Sequence, residues 1–193
     1  MMRLVLTGML ILDACSILPE PKPVRYRTVV LDATKAGPAP SRGPVATMAL
    51  RAVELPRYLD ADAVVMRTSA NEIHYSRDER WGEPLTEAVP RVLAADLGMD
   101  LAAAGVELLP PGSRADSYVD VTIQRFEIRA DGKAELRARW SLHDREHRAE
   151  PRAGDVYFVD EQGGPPAAGL SRLLGRFGEA IAADARSVSA ANP

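Results

Sequence analysis

Between Ala134 and Leu142 the chain alternates without a break. Ala134, Leu136, Ala138, Trp140 and Leu142 are apolar, while Glu135, Arg137, Arg139 and Ser141 are polar. Successive side chains of an extended strand point to opposite faces, so this period of two predicts a strand with one face buried. The stretch before it carries the same rhythm with a fault in it. Val119, Val121 and Ile123 keep one phase, and Phe126 and Ile128 keep the other. One extra residue in a strand produces that slip, which places a β-bulge near Gln124-Arg125. Ala130-Asp131-Gly132-Lys133 supplies the turn of the hairpin.

Elsewhere the rhythm lengthens to that of a helix. Leu85, Val89, Val92, Leu93 and Leu97 predict a first helix starting near Pro84. Proline suits the first helical position, because its missing N–H has no partner there in any case. Pro90, one to two turns in, is expected to bend this helix. Leu170, Leu173, Leu174, Phe177, Ile181 and Val188 predict a second helix over about 170–188. Each helix has a single apolar stripe and so should pack on a sheet.

Shorter strands are expected over 24–31, 45–53, 64–67 and 72–75, with Ser69-Ala70-Asn71 as the turn between the last two. In the first of them Val24, Tyr26, Thr28 and Val30 share a face. Gly37 to Pro44 reads as a loop, and Arg57 to Asp60 as one helical turn. The expectation is a single α+β domain over 24–190, a largely antiparallel sheet with two main helices packed on one face. Strands 45–53 and 64–67 are the candidates for an exposed sheet edge.

Length and composition agree: 193 residues with 46% apolar content suit one domain with a sizeable core. The net charge of −3 lacks the basic surplus that nucleic acid demands, so nucleic acid is excluded as a partner. The N-terminus changes the picture more. Arg3 precedes the apolar stretch Leu4 to Leu12, followed by Asp13-Ala14-Cys15-Ser16. A positive residue, a short apolar run and a small residue before a boundary form the pattern of an export signal. The run is about half the 20 residues a spanning helix needs. Leu12-Asp13-Ala14-Cys15 is similar to a bacterial lipobox, in which the Cys15 thiolate takes a diacylglyceryl group. Asp13 departs from that pattern, which usually has a small uncharged residue there. The bland alternative is a free cysteine after a chance apolar terminus. Cys15 is the only cysteine, which excludes an internal disulfide framework. The expected division is a signal peptide over 1–14, a lipidated Cys15 with a Pro-rich tether over 15–23, and then the domain.

Two clusters offer candidate chemistry. His143-Asp144-Arg145-Glu146-His147 has the H-x-x-E-H spacing of some zinc proteases, which requires both histidines on one helical face. Here the segment follows a strand and runs into Pro151 and Gly154, so a solvated strand end is expected instead. Ser69, His74, Ser76 and Asp78 include the residue types of a hydrolytic triad, but no G-x-S-x-G elbow exposes a nucleophile. No catalytic, cofactor-binding or metal-ligating residue is therefore assigned. Trp140 is in phase with the buried face of its strand. Trp81 reads as a core cap where a loop enters the helix, with a partner anchor as the other reading. Arg67 and Tyr75 join Trp81 as candidate partner contacts, and Arg145 to Arg152 reads as a solvated loop.

One succession of segments carries a resemblance. Leu55-Pro56-Arg57-Tyr58-Leu59-Asp60, Val64-Val65-Met66-Arg67 and Asn71-Glu72-Ile73-His74-Tyr75 come first. Arg80-Trp81-Gly82-Glu83-Pro84-Leu85, Arg91 to Leu97 and Ala138-Arg139-Trp140-Ser141-Leu142 follow. In order and spacing they resemble the ABC-type transport auxiliary lipoproteins of the PqiC kind over about residues 45–187. The resemblance implies a non-enzymatic subunit, held by its lipid at the periplasmic face of the outer membrane. It implies an MCE-domain transport protein as partner, association with further copies of itself, and a part in lipid transport or membrane integrity. Ser16 is similar to the outer-membrane sorting pattern. The family brings no catalytic residue and no cofactor. A periplasmic lipid- or ligand-binding carrier, with cargo between helices and sheet, stays open as the second class. Small residues such as Ala94, Ala102, Ala103 and Ala104 favour the first.

Overall fold

The computed structural model describes residues 25–35, 37, 46–145 and 151–189. Its elements run β1 (Arg27–Val29), β2 (Ala46–Glu54), β3 (Ala63–Ser69), β4 (Glu72–Trp81), α1 (Leu85–Ala102), β5 (Val106–Leu109), β6 (Ser117–Arg129), β7 (Ala134–Asp144), β8 (Arg152–Val159) and α2 (Pro166–Ser189). The predicted hairpin is the spine of an eight-stranded sheet. β7 lines one side of β6 along its length, and β8 lies beyond β7. On the other side of β6, β2 pairs with residues Ser117 to Thr122 and β3 with Ile128 and Arg129. β5 then flanks β2, while β4 flanks β3 and β1 flanks β4.

This is the α+β domain the pattern predicts. The long ladders β6–β7, β7–β8 and β3–β4 are antiparallel. The shorter pairings β1–β4, β2–β5, β2–β6 and β3–β6 are parallel. The bulge falls where the phase slips: the β6–β7 register shifts between Ile123 and Arg125. Val119, Val121, Ile123, Phe126 and Ile128 are consequently all buried. At the turn, Gly132 takes φ 81°, a left-handed conformation that suits glycine, and its N–H reaches the Arg129 carbonyl at 2.9 Å.

Several local expectations are corrected. Pro84 has extended geometry (φ −57°, ψ 137°) and stands just outside α1, which begins at Leu85. The helix continues through Pro90 to Ala102 as one element. At α2 the helix opens four residues before Leu170, and it is Pro166 that takes the first position. Its stripe Leu170, Leu173, Leu174, Phe177 and Ile181 is fully buried. β1 is shorter than predicted and its phase is reversed. Tyr26 and Val30 are each 57% exposed, whereas Leu31 is buried, so the apolar stripe faces solvent. Val24 and the loop residues 38–44 lie outside the described residues. Neither β2 nor β3 is an edge, since each is paired on both sides. The edges among the described residues are β1, β5 and β8.

The two helices pack on each other and on one face of the sheet. Gly178 allows their close approach: a Cβ there would stand 3.2 Å from the Leu97 amide nitrogen on α1. Asp96, fully buried on α1, ties down the chain after β1. Its Oδ1 accepts the N–H groups of Thr34 (2.8 Å) and Lys35 (2.9 Å). These backbone donors to one carboxylate oxygen substitute for a ladder where no strand continues, while Oδ2 of the same group is buried without a hydrogen-bond partner.

Candidate interaction surface

The sheet face away from the helices is polar, and several of its charges are held in ion pairs. At one end, β3 and β6 lie side by side and Arg67 meets Glu127. Arg67 Nε donates to Glu127 Oε1, Nη2 donates to Oε2 at 3.2 Å, and Nη1 reaches the Ala70 carbonyl at 3.1 Å. Glu127 has no solvent exposure at all. The Arg67 guanidinium lies 6.0 Å from the Tyr58 ring centre, and the Tyr75 hydroxyl donates to the Tyr58 carbonyl at 3.2 Å. Burial pushes the Tyr58 phenol well above its usual range, and the Glu127 charge adds to that. This end is a preorganised ion pair with the Tyr58 ring beside it.

Further along the face, Arg125 donates to Glu135 Oε1 at 3.0 Å, and the Tyr157 hydroxyl donates to Glu135 Oε2 at 3.0 Å. At the far end Arg51 grips Asp120 in bidentate fashion, with Nε to Oδ1 at 2.9 Å. His143 joins that cluster: its Nε2 lies 2.5 Å from Ser141 Oγ and 3.4 Å from Asp120 Oδ2. Serine, histidine and aspartate thus meet, but in the wrong order for a triad. The carboxylate and the hydroxyl both address Nε2, whereas a triad needs the carboxylate on Nδ1 to orient the ring. His143 also lies in a strand, not on the helix that the zinc spacing requires. Glu146 and His147 lie outside the described residues. In the other cluster, His74 sits 3.4 Å from Glu72, and Ser76 Oγ accepts the N–H groups of Asp78 and Glu79. No hydrogen bond joins His74 to Ser69 or Ser76 among the described residues.

The structure separates the three candidate contacts. Tyr75 is exposed. Arg67 is engaged with Glu127, its side chain 16% exposed. Trp81 is buried in the core as the last residue of β4, the capping position, and offers no exposed anchor. Cys15 lies outside the described residues. The buried carboxylates Glu127, Glu135 and Asp160 were not singled out from sequence. The available signal was an acid such as Glu127 set between the apolar Phe126 and Ile128.

On the helix side, two open crevices of about 440 and 370 Å³ run beside the start of α2 and share Thr34 and Arg172. Arg172 is not free to meet a ligand. Its Nε and Nη2 donate to Asp160 at 3.0 and 2.6 Å, and Nη2 also reaches the Gly163 carbonyl at 2.7 Å. The hydrogen bond from Arg172 holds the Asp160 carboxyl below the usual carboxylate range. A depressed folded-state pKa adds stability that is present above the unfolded value, about 3.9, and lost as pH falls through the folded one. Asp160→Asn should therefore lower the melting temperature at pH 7, and the gap to the parent should close as pH drops below about 4. Thermal unfolding followed by circular dichroism across that range checks this; a gap unchanged at pH 3 contradicts it.

A mixed sheet with two helices on one face, a filled core and a polar open face make up a single α+β domain. Residues 30–182 match the ABC-type transport auxiliary lipoprotein component family, and the chain belongs to that family. It is 32% identical over 91 residues to the intermembrane transport lipoprotein PqiC of Escherichia coli (strain K12). That alignment covers 47% of this chain and 48% of the relative, so the chain spans about half the length of the curated relatives it matches. The protein of the same description in Shigella flexneri matches equally. Among solved structures, the fold is similar to that of an uncharacterized protein, at TM-score 0.61 and 18% identity. That likeness covers 84% of this chain and 97% of the other. A Xanthomonas campestris protein gives TM-score 0.57 at 13% identity, covering 81% and 91%. These likenesses concern the fold.

Proposed function

We propose that this protein is a lipid-anchored, non-catalytic auxiliary subunit of an MCE-type envelope transport system at the periplasmic face of the outer membrane. It works there by association with an MCE-domain protein and with further copies of itself. The family match across residues 30–182 carries the reading. The lipobox-like sequence ending at Cys15 supplies the anchor, and no helix among the described residues is long and apolar enough to cross a membrane. The packing supports a subunit over a carrier. Val92, Leu93, Leu97, Phe177 and Ile181 fill the layer where the helices meet the sheet with no exposure, and that is where cargo would have to sit.

The anchor is directly testable. Cys15→Ser should release the protein from the membrane fraction while its folded domain and melting temperature are unchanged, because the Pro-rich tether separates the lipid from the core. Two or more acyl chains give stable membrane attachment, and losing them leaves little to hold the protein. Fractionation with mass spectrometry of the mature N-terminus checks this. An exported chain carrying an unmodified Cys15 would contradict it.

A further inference from the structure

The most exposed apolar residues of the domain gather at its first strand. Tyr26 and Val30, each 57% exposed, are uncovered to a greater extent than any other large hydrophobic side chain among the described residues. They stand two positions either side of Thr28, itself exposed, so the three share one face. Gly82 beside them has no side chain to cover that row; a Cβ there would stand 2.9 Å from Val30 Cγ1. The Tyr26 ring is held from one side, its centre 5.6 Å from the Arg80 guanidinium, which donates to the Ser76 and Glu79 carbonyls. Its hydroxyl differs from those of the other exposed tyrosines. Tyr75 donates to the Tyr58 carbonyl and Tyr157 to Glu135, whereas Tyr26 has no such partner among the described residues.

Arginines surround this row. Residues 25–30 and 76–82 hold Arg25, Arg27, Arg77 and Arg80 against only Asp78 and Glu79. Glu79 is buried and matched by Arg27. Arg25 and Arg77 are exposed, with no ion-pair partner among the described residues. We propose that this face of β1 rests on a bilayer surface carrying anionic headgroups, and that the contact sets the orientation of the domain on the membrane. The proposal rests on the anchor at Cys15 and adds a second, lipid-facing surface to it. Nine residues separate Cys15 from Arg25, a span of about 35 Å even when fully extended. β1 is therefore the strand that the anchor holds nearest the bilayer along the chain. Tyrosine rings settle at the headgroup level with their hydroxyls in the wet layer, and arginines meet the lipid phosphates. Tyr26 and Val30 supply the first kind of contact, Arg25 and Arg77 the second. A tether alone would leave the domain free to turn; these side chains stop it turning.

The test uses the intact chain, its acylation established by mass beforehand, in vesicles of phosphatidylethanolamine and phosphatidylglycerol. Acylation occupies the Cys15 thiol, so an introduced cysteine carries a fluorophore alone. At Thr28→Cys it should be quenched several-fold more by nitroxide-bearing lipids than at Arg139→Cys, four strands away in the sheet and so about 19 Å distant. Adding Tyr26→Ser and Arg25→Ser to Thr28→Cys should remove most of that difference while circular dichroism is unchanged. Vesicles of phosphatidylcholine, which lack anionic headgroups, should reduce it as well. Equal quenching at positions 28 and 139 would overturn the proposal, as would a difference indifferent to the two serines or to headgroup charge. A fluorophore at position 28 shielded from lipid and from soluble iodide alike would mean that protein covers the face, which overturns it too. Because the chain is known to be acylated, each of these results falls on the β1 face and not on the anchor.

Discussion

Trp140→Ala is expected to destabilise the domain by about 3–5 kcal/mol, the range for removing a large buried aromatic. The ring is 8% exposed and meets Phe177 of α2 edge-on, with centroids 5.9 Å apart and planes at 65°. Its Nε1 donates to Asp184 Oδ2 at 3.1 Å, so one side chain ties β7 to α2 by packing and by a hydrogen bond. Truncation would open a cavity against Gly154, which has no side chain to fill it, and leave Asp184 with one donor fewer. Arg139 is on the opposite face of the same strand and is exposed. Arg139→Ala should stay within about 0.5 kcal/mol. Urea unfolding of the three proteins decides it, and equal small losses would mean that the buried face of β7 is misassigned.

Arg67→Ala is expected to have a comparable effect for an electrostatic reason. It would leave Glu127, which has no solvent exposure, as an uncompensated buried charge, at a cost of about 3–5 kcal/mol. The pair itself is not what stabilises the fold. The double replacement Arg67→Met with Glu127→Leu removes both charges and should recover most of the loss, because desolvating two ions offsets much of their attraction. Chemical denaturation of the single and double variants gives the coupling. A single variant within 1 kcal/mol of the parent would contradict the burial of Glu127.

Strand β7, the bulge in β6 and both helices were legible because each buries one face, and burial imposes a period on the sequence. The position of Gln124-Arg125 between two phases gave the bulge, as a slipped register must. Strand order was not legible. Parallel pairing of β2 with β5 and β6 leaves no local mark, and so β2 and β3 passed for edges when they are interior. β1 misled for a related reason. Tyr26 and Val30 alternate like a buried stripe, but a three-residue edge strand buries the other phase through Val29 and Leu31. Two ion pairs of the open face join residues far apart in the chain, Arg67 with Glu127 over 60 positions and Arg51 with Asp120 over 69, and only the sheet brings them together. Trp81 was legible as a core cap because it stands at the junction of β4 and α1.

Association, and not turnover, is the proposed mode of action of this protein. Its most direct test is purification of the intact, lipidated chain from detergent-solubilised membranes of cells that also make an MCE-domain protein. Composition and activity of the purified material are then measured together. The MCE-domain protein is expected to co-purify in fixed proportion, and His143→Ala to leave both this proportion and the envelope barrier unchanged. A chain that purifies without that partner, yet hydrolyses a lipid or peptide in a manner lost on His143→Ala, would contradict it.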